Sequence, residues 1–399
     1  MQSKMSKPLT QARKLALNIT RDVRLRDAYV RELIDTKRKN TELPPSEFNF
    51  AQVLCFGVVM CRGTLDEFIN RNLNKPSDIK QKVRDALRIS AYELLFLDKP
   101  QHVVVSQGVE LVRNVAPKAA GLANCILRRM VKDAQNFPAY DSENEAEICA
   151  RAGGMPLWLT NKFIEQYGIE QTKEILKCNL EAAPRFMVEN PYKQGSVFVS
   201  DESAQKVASL VPVGGDILEI GAGRGTKTML IARKSYQEDV QTNIYAIDVH
   251  DFKKELLLNR MQEENIPNVK AFTADACDLS VLNDLPDEFD CAFIDAPCSG
   301  TGTLRRHPEI RWNLQENDLT NLAVLQFNLL KEASKRVKLG GALIYATCSI
   351  LHEENEDVIS AFLVDKCGKN FEVAQEFFHT IPKEGAGDGH FAAVLRRIA

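Results

Sequence analysis

Leu218-Glu219-Ile220-Gly221-Ala222-Gly223-Arg224-Gly225-Thr226-Lys227-Thr228 reads as the end of an apolar strand, a glycine-rich turn and the start of a helix. Glycines let a backbone approach a ligand closely. The turn is not a Walker A loop, because Thr226 precedes Lys227 where that motif needs glycine, and the same Thr226 stands where a dinucleotide fingerprint has its third glycine. Its meaning therefore depends on the strands beyond it. Further apolar runs at 243–249, 270–274, 290–294 and 342–346 alternate with helical stretches, the pattern of βαβ units and a parallel sheet. Ligands bind such sheets outside the carboxyl ends of the strands. Those ends carry Gly221 to Thr226, then Asp248, Asp275 and Asp295. Asp248 is suited to a ribose diol, and Asp275 to an adenine amino group. The late segments 371–377 and 391–396 are expected to close the sheet edge as a hairpin.

Two cysteines leave neighbouring strands of this sheet. Cys298 follows Asp295-Ala296-Pro297, and Cys348 follows Ala346-Thr347. A thiolate is a strong nucleophile even when little of it is ionised, and thiols at adjacent strand ends can reach one substrate. The other cysteines show no CxxC pair, which argues against zinc or a disulfide framework and fits a reducing cytoplasm.

The chain of 399 residues is 44% hydrophobic and 26% charged, with a net charge of −3. No apolar run of about 18 residues suggests a membrane span. The charge is unevenly distributed. Residues 1–140 hold 24 Lys and Arg against 14 Asp and Glu, while the remainder holds 27 against 40. A basic first third points to a polyanion, with Arg13, Lys14, Arg21 and Arg24 as candidate phosphate contacts. Residues 8–135 read as helices throughout: Leu15, Ile19 and Val23 step by four, as do Ile79, Val83, Leu87 and Ala91. Pro76-Ser77 marks a helix start, and the polar run 138–147 a linker.

Taken together, these pieces resemble a known family. The run from Asp295-Ala-Pro-Cys298 through Arg305-Arg306-His307-Pro308-Glu309-Ile310-Arg311-Trp312, with Thr347-Cys348-Ser349 and Glu353-Glu354-Asn355, is similar to the RNA 5-methylcytosine methyltransferases of the RsmB/Sun (NOL/NOP) family. It resembles their small-subunit rRNA branch in particular. Arg62-Gly63-Thr64-Leu65-Asp66 and Asn124-Cys125-Ile126-Leu127-Arg128-Arg129 resemble the RNA-binding factor NusB. The resemblance implies an all-α NusB-like bundle (1–140), a linker with a shortened RNA-binding subdomain (141–196), and an α/β Rossmann-like class I methyltransferase (197–399).

It also implies S-adenosyl-L-methionine held by Gly221, Ala222, Gly223, Arg224, Gly225, Thr226, Lys227, Asp248, Asp275 and Asp295. Cys348 would be the nucleophile and Cys298 the residue that releases the adduct. Asp295 would bond the N3/N4 edge of the base, and Lys227 would position that carboxylate. Arg305, Arg306 and Arg311 would contact phosphates beside an extruded base. The implied partner is small-subunit rRNA, not DNA or a membrane, and the expected state is a cytoplasmic monomer. The chain departs from the family in its glycine loop, where relatives carry Cys-Ala-Ala-Pro-Gly-Gly-Lys-Thr, and in the brevity of 191–196. It also departs at His390 of Asp388-Gly389-His390-Phe391. Other readings stay open: methylation of another RNA such as tRNA, a DNA cytosine enzyme using Cys298 alone, or an RNA-binding, antitermination-like factor with an inactive methyltransferase domain.

Overall fold

The computed structural model describes residues 8–26, 28–97 and 99–399. The chain divides into two compact units. One runs to Glu181 and takes in Leu304–Asn313; the other comprises Ala182–Thr303 and Leu314–Ala399.

The first unit is helical. Its helices run Gln11–Arg26, Val30–Lys39, Pro45–Met60, Arg62–Arg71, Gln81–Leu95, Gln101–Val115 and Ala120–Asp133, followed by Glu145–Gly153 and Leu157–Cys178. The four-residue spacing of apolar side chains puts Ile19, Val83 and Leu87 into one core with Leu54, Phe68, Leu111 and Leu127. Ile79 is buried but precedes its helix: Pro76–Asp78 form a separate 3-10 turn, and the helix begins at Gln81. The unit does not end near residue 140. Asn144 caps the next helix by accepting from the backbone N–H of Ala146, and that helix and its successor pack into the same unit.

Two of the four arginine and lysine residues expected to meet phosphate are used internally. Arg13 is buried and forms a two-pronged pair with Glu93, and Arg24 donates to Asp85 at 2.8 Å. Lys14 and Arg21 remain exposed. A buried carboxylate must be paired, and in this unit the pairing takes up part of the basic surplus.

The second unit is a twisted sheet. A two-stranded hairpin, β1 (Met187–Glu189) and β2 (Val197–Val199), comes first. The main strands are β3 (Gly215–Ile220), β4 (Thr242–Asp248), β5 (Val269–Thr273), β6 (Phe289–Asp295), β7 (Val337–Thr347), β8 (Phe371–Val373), β9 (Phe378–Thr380) and β10 (His390–Arg397). Their order is β5-β4-β3-β6-β7-β10-β8, with β9 pairing with β10. The first five of these are parallel and β10 is antiparallel. This is a Rossmann-like sheet. The expected edge hairpin therefore has a third member, β9, too short and polar to show in the sequence. β7 begins earlier than the apolar run because Val337 already pairs with Phe289, ahead of a register irregularity.

Inside the sheet lies one charge-bearing group that no sequence pattern singles out. Glu219 of β3 is fully buried; Thr228 donates to its Oε2 at 2.7 Å, and its Oε1 has no hydrogen-bond partner. Burial raises its carboxyl from the ordinary 4.5 to about 7. The folded state thus binds a proton that the unfolded state releases, so stability falls as pH rises from about 4.5 to about 7. Glu219→Gln should melt higher than the wild type at pH 8, by up to about 3 kcal/mol, and the gain should vanish near pH 4. A constant difference at both pH values would refute this account of Glu219.

Candidate active site

Local geometry explains why glycine opens the cofactor turn. Gly221 has φ +81°, and a Cβ there would lie 2.2 Å from the carbonyl oxygen of Asp295. The turn can follow β3 past β6 only without a side chain. Gly225, also left-handed, caps the helix Thr226–Gln237. A cleft of about 400 Å³ lies at the carboxyl ends of the strands, lined by Gly221, Gly223, Asp248, Asp275, Asp295 and Pro297 among others. That volume is in the range of small-molecule and cofactor pockets. Asp248 is held in place by the backbone N–H groups of Gly223 (3.2 Å) and His250 (3.0 Å). Asp275 accepts from the backbone N–H of Cys277 at 2.9 Å. Arg224 and Thr226 shape the turn: Arg260 donates to the Arg224 carbonyl and to the Thr226 hydroxyl. Ala222 is buried, and its carbonyl accepts from Gly225.

Lys227 Nζ lies 2.6 Å from Asp295 Oδ2. Burial disfavours the ammonium charge, but Asp295 outweighs it and raises the lysine above its ordinary value. The pair is therefore a fixed charge couple at the end of β6.

The two cysteines meet. Cys298 Sγ and Cys348 Sγ are 3.3 Å apart, and the backbone N–H of Cys348 points at Cys298 Sγ at 3.3 Å. Both are partly exposed. Their loops leave the sheet side by side, because the pairing of β6 with β7 continues in the Ala296 N–H to Ala346 carbonyl bond of 2.8 Å. The neighbouring Cys348 thiol, then burial, push the Cys298 thiol well above the usual thiol range. From 3.3 Å either sulfur can donate a proton to the other.

The loops are tied by a hub whose role no sequence pattern discloses. Glu354 is fully buried. It accepts from the Ser299 backbone N–H at 2.7 Å, from the Ser299 and Ser349 hydroxyls, and from Gln326 at 3.1 Å. Asn355 accepts from the Thr347 hydroxyl at 2.6 Å and donates to the Ser349 carbonyl at 3.0 Å. Each loop thus has a serine on one carboxylate, which locks the spacing of the two sulfurs. Gly302 completes the lock: its N–H donates to the Cys348 carbonyl, and a Cβ there would lie 2.1 Å from the Gly389 carbonyl oxygen. His390, next in the chain, is buried; burial, then Lys227, lowers its imidazole to about 4, and its Nδ1 has no hydrogen-bond partner.

Two of the three arginines expected at phosphates are not at the surface. Arg311 is fully buried and donates to the carbonyls of Gly153, Gly154 and Asn179. Arg305 is buried, with Nη1 3.4 Å from Cys178 Sγ. Their segment belongs to the helical unit, where guanidinium groups satisfy orphaned carbonyls at helix ends. Arg306 is partly exposed. Among the described residues no cluster of His, Cys, Asp and Glu could hold a metal ion, and no single helix is long and apolar enough to cross a membrane.

Comparison with known proteins bears on the fold and the family. Residues 207–396 match the family described as 16S rRNA methyltransferase RsmB/F, and residues 10–132 match the NusB family. The ribosomal RNA small subunit methyltransferase B of Salmonella arizonae is 29% identical over 86% of this chain and 89% of its own length. The probable ribosomal RNA small subunit methyltransferase B of Bacillus subtilis is 26% identical over 89% of this chain and 88% of its own. Among solved structures, PH0851 superposes with a TM-score of 0.76 at 20% identity, covering 98% of this chain and 100% of that one. A methyltransferase homologue from Pyrococcus horikoshii gives 0.53 at 20% identity, over 64% of this chain and all of that one.

Proposed function

We propose, for a chain whose residues 207–396 belong to the 16S rRNA methyltransferase RsmB/F family and residues 10–132 to the NusB family, that the reaction is methylation of C5 of a cytosine in small-subunit rRNA through a covalent adduct on Cys348. The observation that carries this reading is the 3.3 Å approach of two thiols beside the Lys227–Asp295 pair.

The cofactor is S-adenosyl-L-methionine, which supplies a methyl group made labile by its sulfonium. Gly221 and Gly223 would let its backbone-contacting parts close in, Asp248 would accept from the ribose hydroxyls, and Asp275 from the adenine amino group. C5 of cytosine is a poor nucleophile. Cys348 thiolate adds to C6, forming an S–C6 bond and turning the ring into an enamine, while a proton reaches N3 from the Lys227–Asp295 couple. C5 then takes the methyl group. Loss of the C5 proton to water, return of the N3 proton to the Lys227–Asp295 couple and cleavage of the S–C6 bond restore the aromatic ring and the thiolate, with Cys298 placed to assist. The target must be single-stranded or leave its stack to be reached. Covalent catalysis of this kind divides one hard step into easier ones.

The purified protein should methylate free small-subunit rRNA with S-adenosyl-L-methionine and no other factor, and nucleoside analysis should return 5-methylcytidine. Label in another nucleoside, or transfer to tRNA or duplex DNA with none to rRNA, would overturn the proposal. Asp248→Ala should weaken cofactor binding by about 1.5–3 kcal/mol, the range of a charged hydrogen bond. Calorimetry checks this, and unchanged affinity would remove Asp248 from the ribose site.

A further inference from the structure

Two thiols held in near contact can do more than share a proton. Cys298 Sγ lies 3.3 Å from Cys348 Sγ and 3.3 Å from the Cys348 backbone nitrogen. A disulfide places its sulfurs about 2.05 Å apart, so closure asks these two to approach by roughly 1.3 Å. Rotation about the side-chain bonds covers a change of that size.

The spacing belongs to the fold and not to a bound substrate. Ser299 and Ser349 follow the two cysteines directly, and both bond to the buried carboxylate of Glu354. The bond from the Ala296 N–H to the Ala346 carbonyl holds the same two loops together at their start. All ten cysteines of the chain are free thiols, and this pair is partly exposed, so a small oxidant reaches it.

We propose that the Cys298–Cys348 pair is an oxidation site, which a peroxide converts to an intramolecular disulfide that stops methyl transfer until a thiol reductant reopens it. The loss of activity rests on the reading of Cys348 as the nucleophile; the disulfide does not. Cys348 sulfur attacks one peroxide oxygen and the O–O bond breaks. The sulfur becomes a sulfenic acid, and the other oxygen leaves as hydroxide, which takes the thiol proton to form water. Cys298 sulfur then attacks the sulfenic sulfur. The S–S bond forms, the S–OH bond breaks, and the departing hydroxide takes the Cys298 proton as a second water. The two thiols are oxidised by two electrons in all, and the peroxide is reduced by the same two.

A sulfenic acid beside a thiol condenses to a disulfide, whereas one left alone goes on to the irreversible sulfinic acid. Cys298 thus preserves the nucleophile as well as closing it off. The Cys348 thiol is the first cause of the raised Cys298 thiol, and oxidation of Cys348 removes that cause at the step where Cys298 must give up its proton. Cytosolic disulfides are usually transient, catalytic or redox-sensing, and strained or exposed ones are the labile class.

The full-length reduced protein is treated with hydrogen peroxide, surviving thiols are blocked with N-ethylmaleimide, and the digest is mapped without reductant. One cross-linked peptide should join Cys298 to Cys348. Methyl transfer should be lost in proportion to the cross-linked fraction and return with dithiothreitol. In Cys298→Ala protein no cross-link should form, and dimedone should label Cys348 as its sulfenic acid. Three results would overturn the proposal: both cysteines recovered as maleimide adducts at peroxide levels that oxidise the exposed Cys125, sulfinic acid on either in place of the cross-link, or a mapped disulfide with undiminished methyl transfer. If the methylated base proves not to be cytosine, the cross-link is mapped all the same, so the two readings fail separately.

Discussion

Cys348→Ala should abolish methyl transfer, by roughly 10⁴-fold or more as for other lost nucleophiles, whereas Cys298→Ala should leave the enzyme caught on its RNA. The asymmetry follows from the roles proposed for the two sulfurs. The neighbouring thiol, then burial, push the Cys298 thiol up. From 3.3 Å it can share its proton with Cys348 sulfur, which suits a leaving thiolate. Without Cys298, the S–C6 bond still forms but breaks slowly, and a band of protein bound to RNA should survive denaturing electrophoresis. Without Cys348 no such band should form. An adduct with Cys348→Ala and none with Cys298→Ala would reverse the assignment.

Asp295→Asn should lower turnover by about 10²- to 10³-fold, the cost of one preorganised electrostatic contact in a closed site. The loss has two sources. The amide cannot relay a proton from Lys227 to N3, and Lys227 loses the partner 2.6 Å away that raises it above its ordinary value. Because the two side chains act as one unit, Lys227→Met combined with Asp295→Asn should lose little more than either change alone. Single-turnover rates at saturating cofactor measure this. Strictly additive losses would mean that the two residues serve separate steps.

Much of this site can be read in the chain because its parts stand at strand ends. A parallel sheet converts four strand termini into one rim, so Gly221, Asp248, Asp275 and Asp295 come together from local pattern alone. The same logic brings Cys298 to Cys348. What the pattern hides is tertiary. Glu354, Ser299 and Ser349 are residue types usually found in solvated loops, and only their burial around one carboxylate reveals the hub. Arg305 and Arg311 look like phosphate contacts until their segment is found within the helical unit, where Arg311 caps a carbonyl more than a hundred positions away. Likewise the surplus charge of the first third overstates its free basic surface, since Arg13 and Arg24 are matched by Glu93 and Asp85. A propensity or charge count has no access to such pairings. The polar run near residue 140 suggests a domain break, yet the capped helix after it stays with the bundle.

The central claim is that Cys348 bonds to C6 of a cytosine whose C5 receives the methyl group. It is tested most directly with small-subunit RNA transcribed with 5-fluorocytidine. Fluorine cannot leave C5 as a proton does, so the methylated adduct cannot resolve. Digestion and mass spectrometry should recover one nucleotide, carrying both the methyl group and the fluorine, on the peptide that contains Cys348. The same nucleotide on the Cys298 peptide, or normal turnover of the fluorinated RNA with no adduct on either cysteine, would contradict the account.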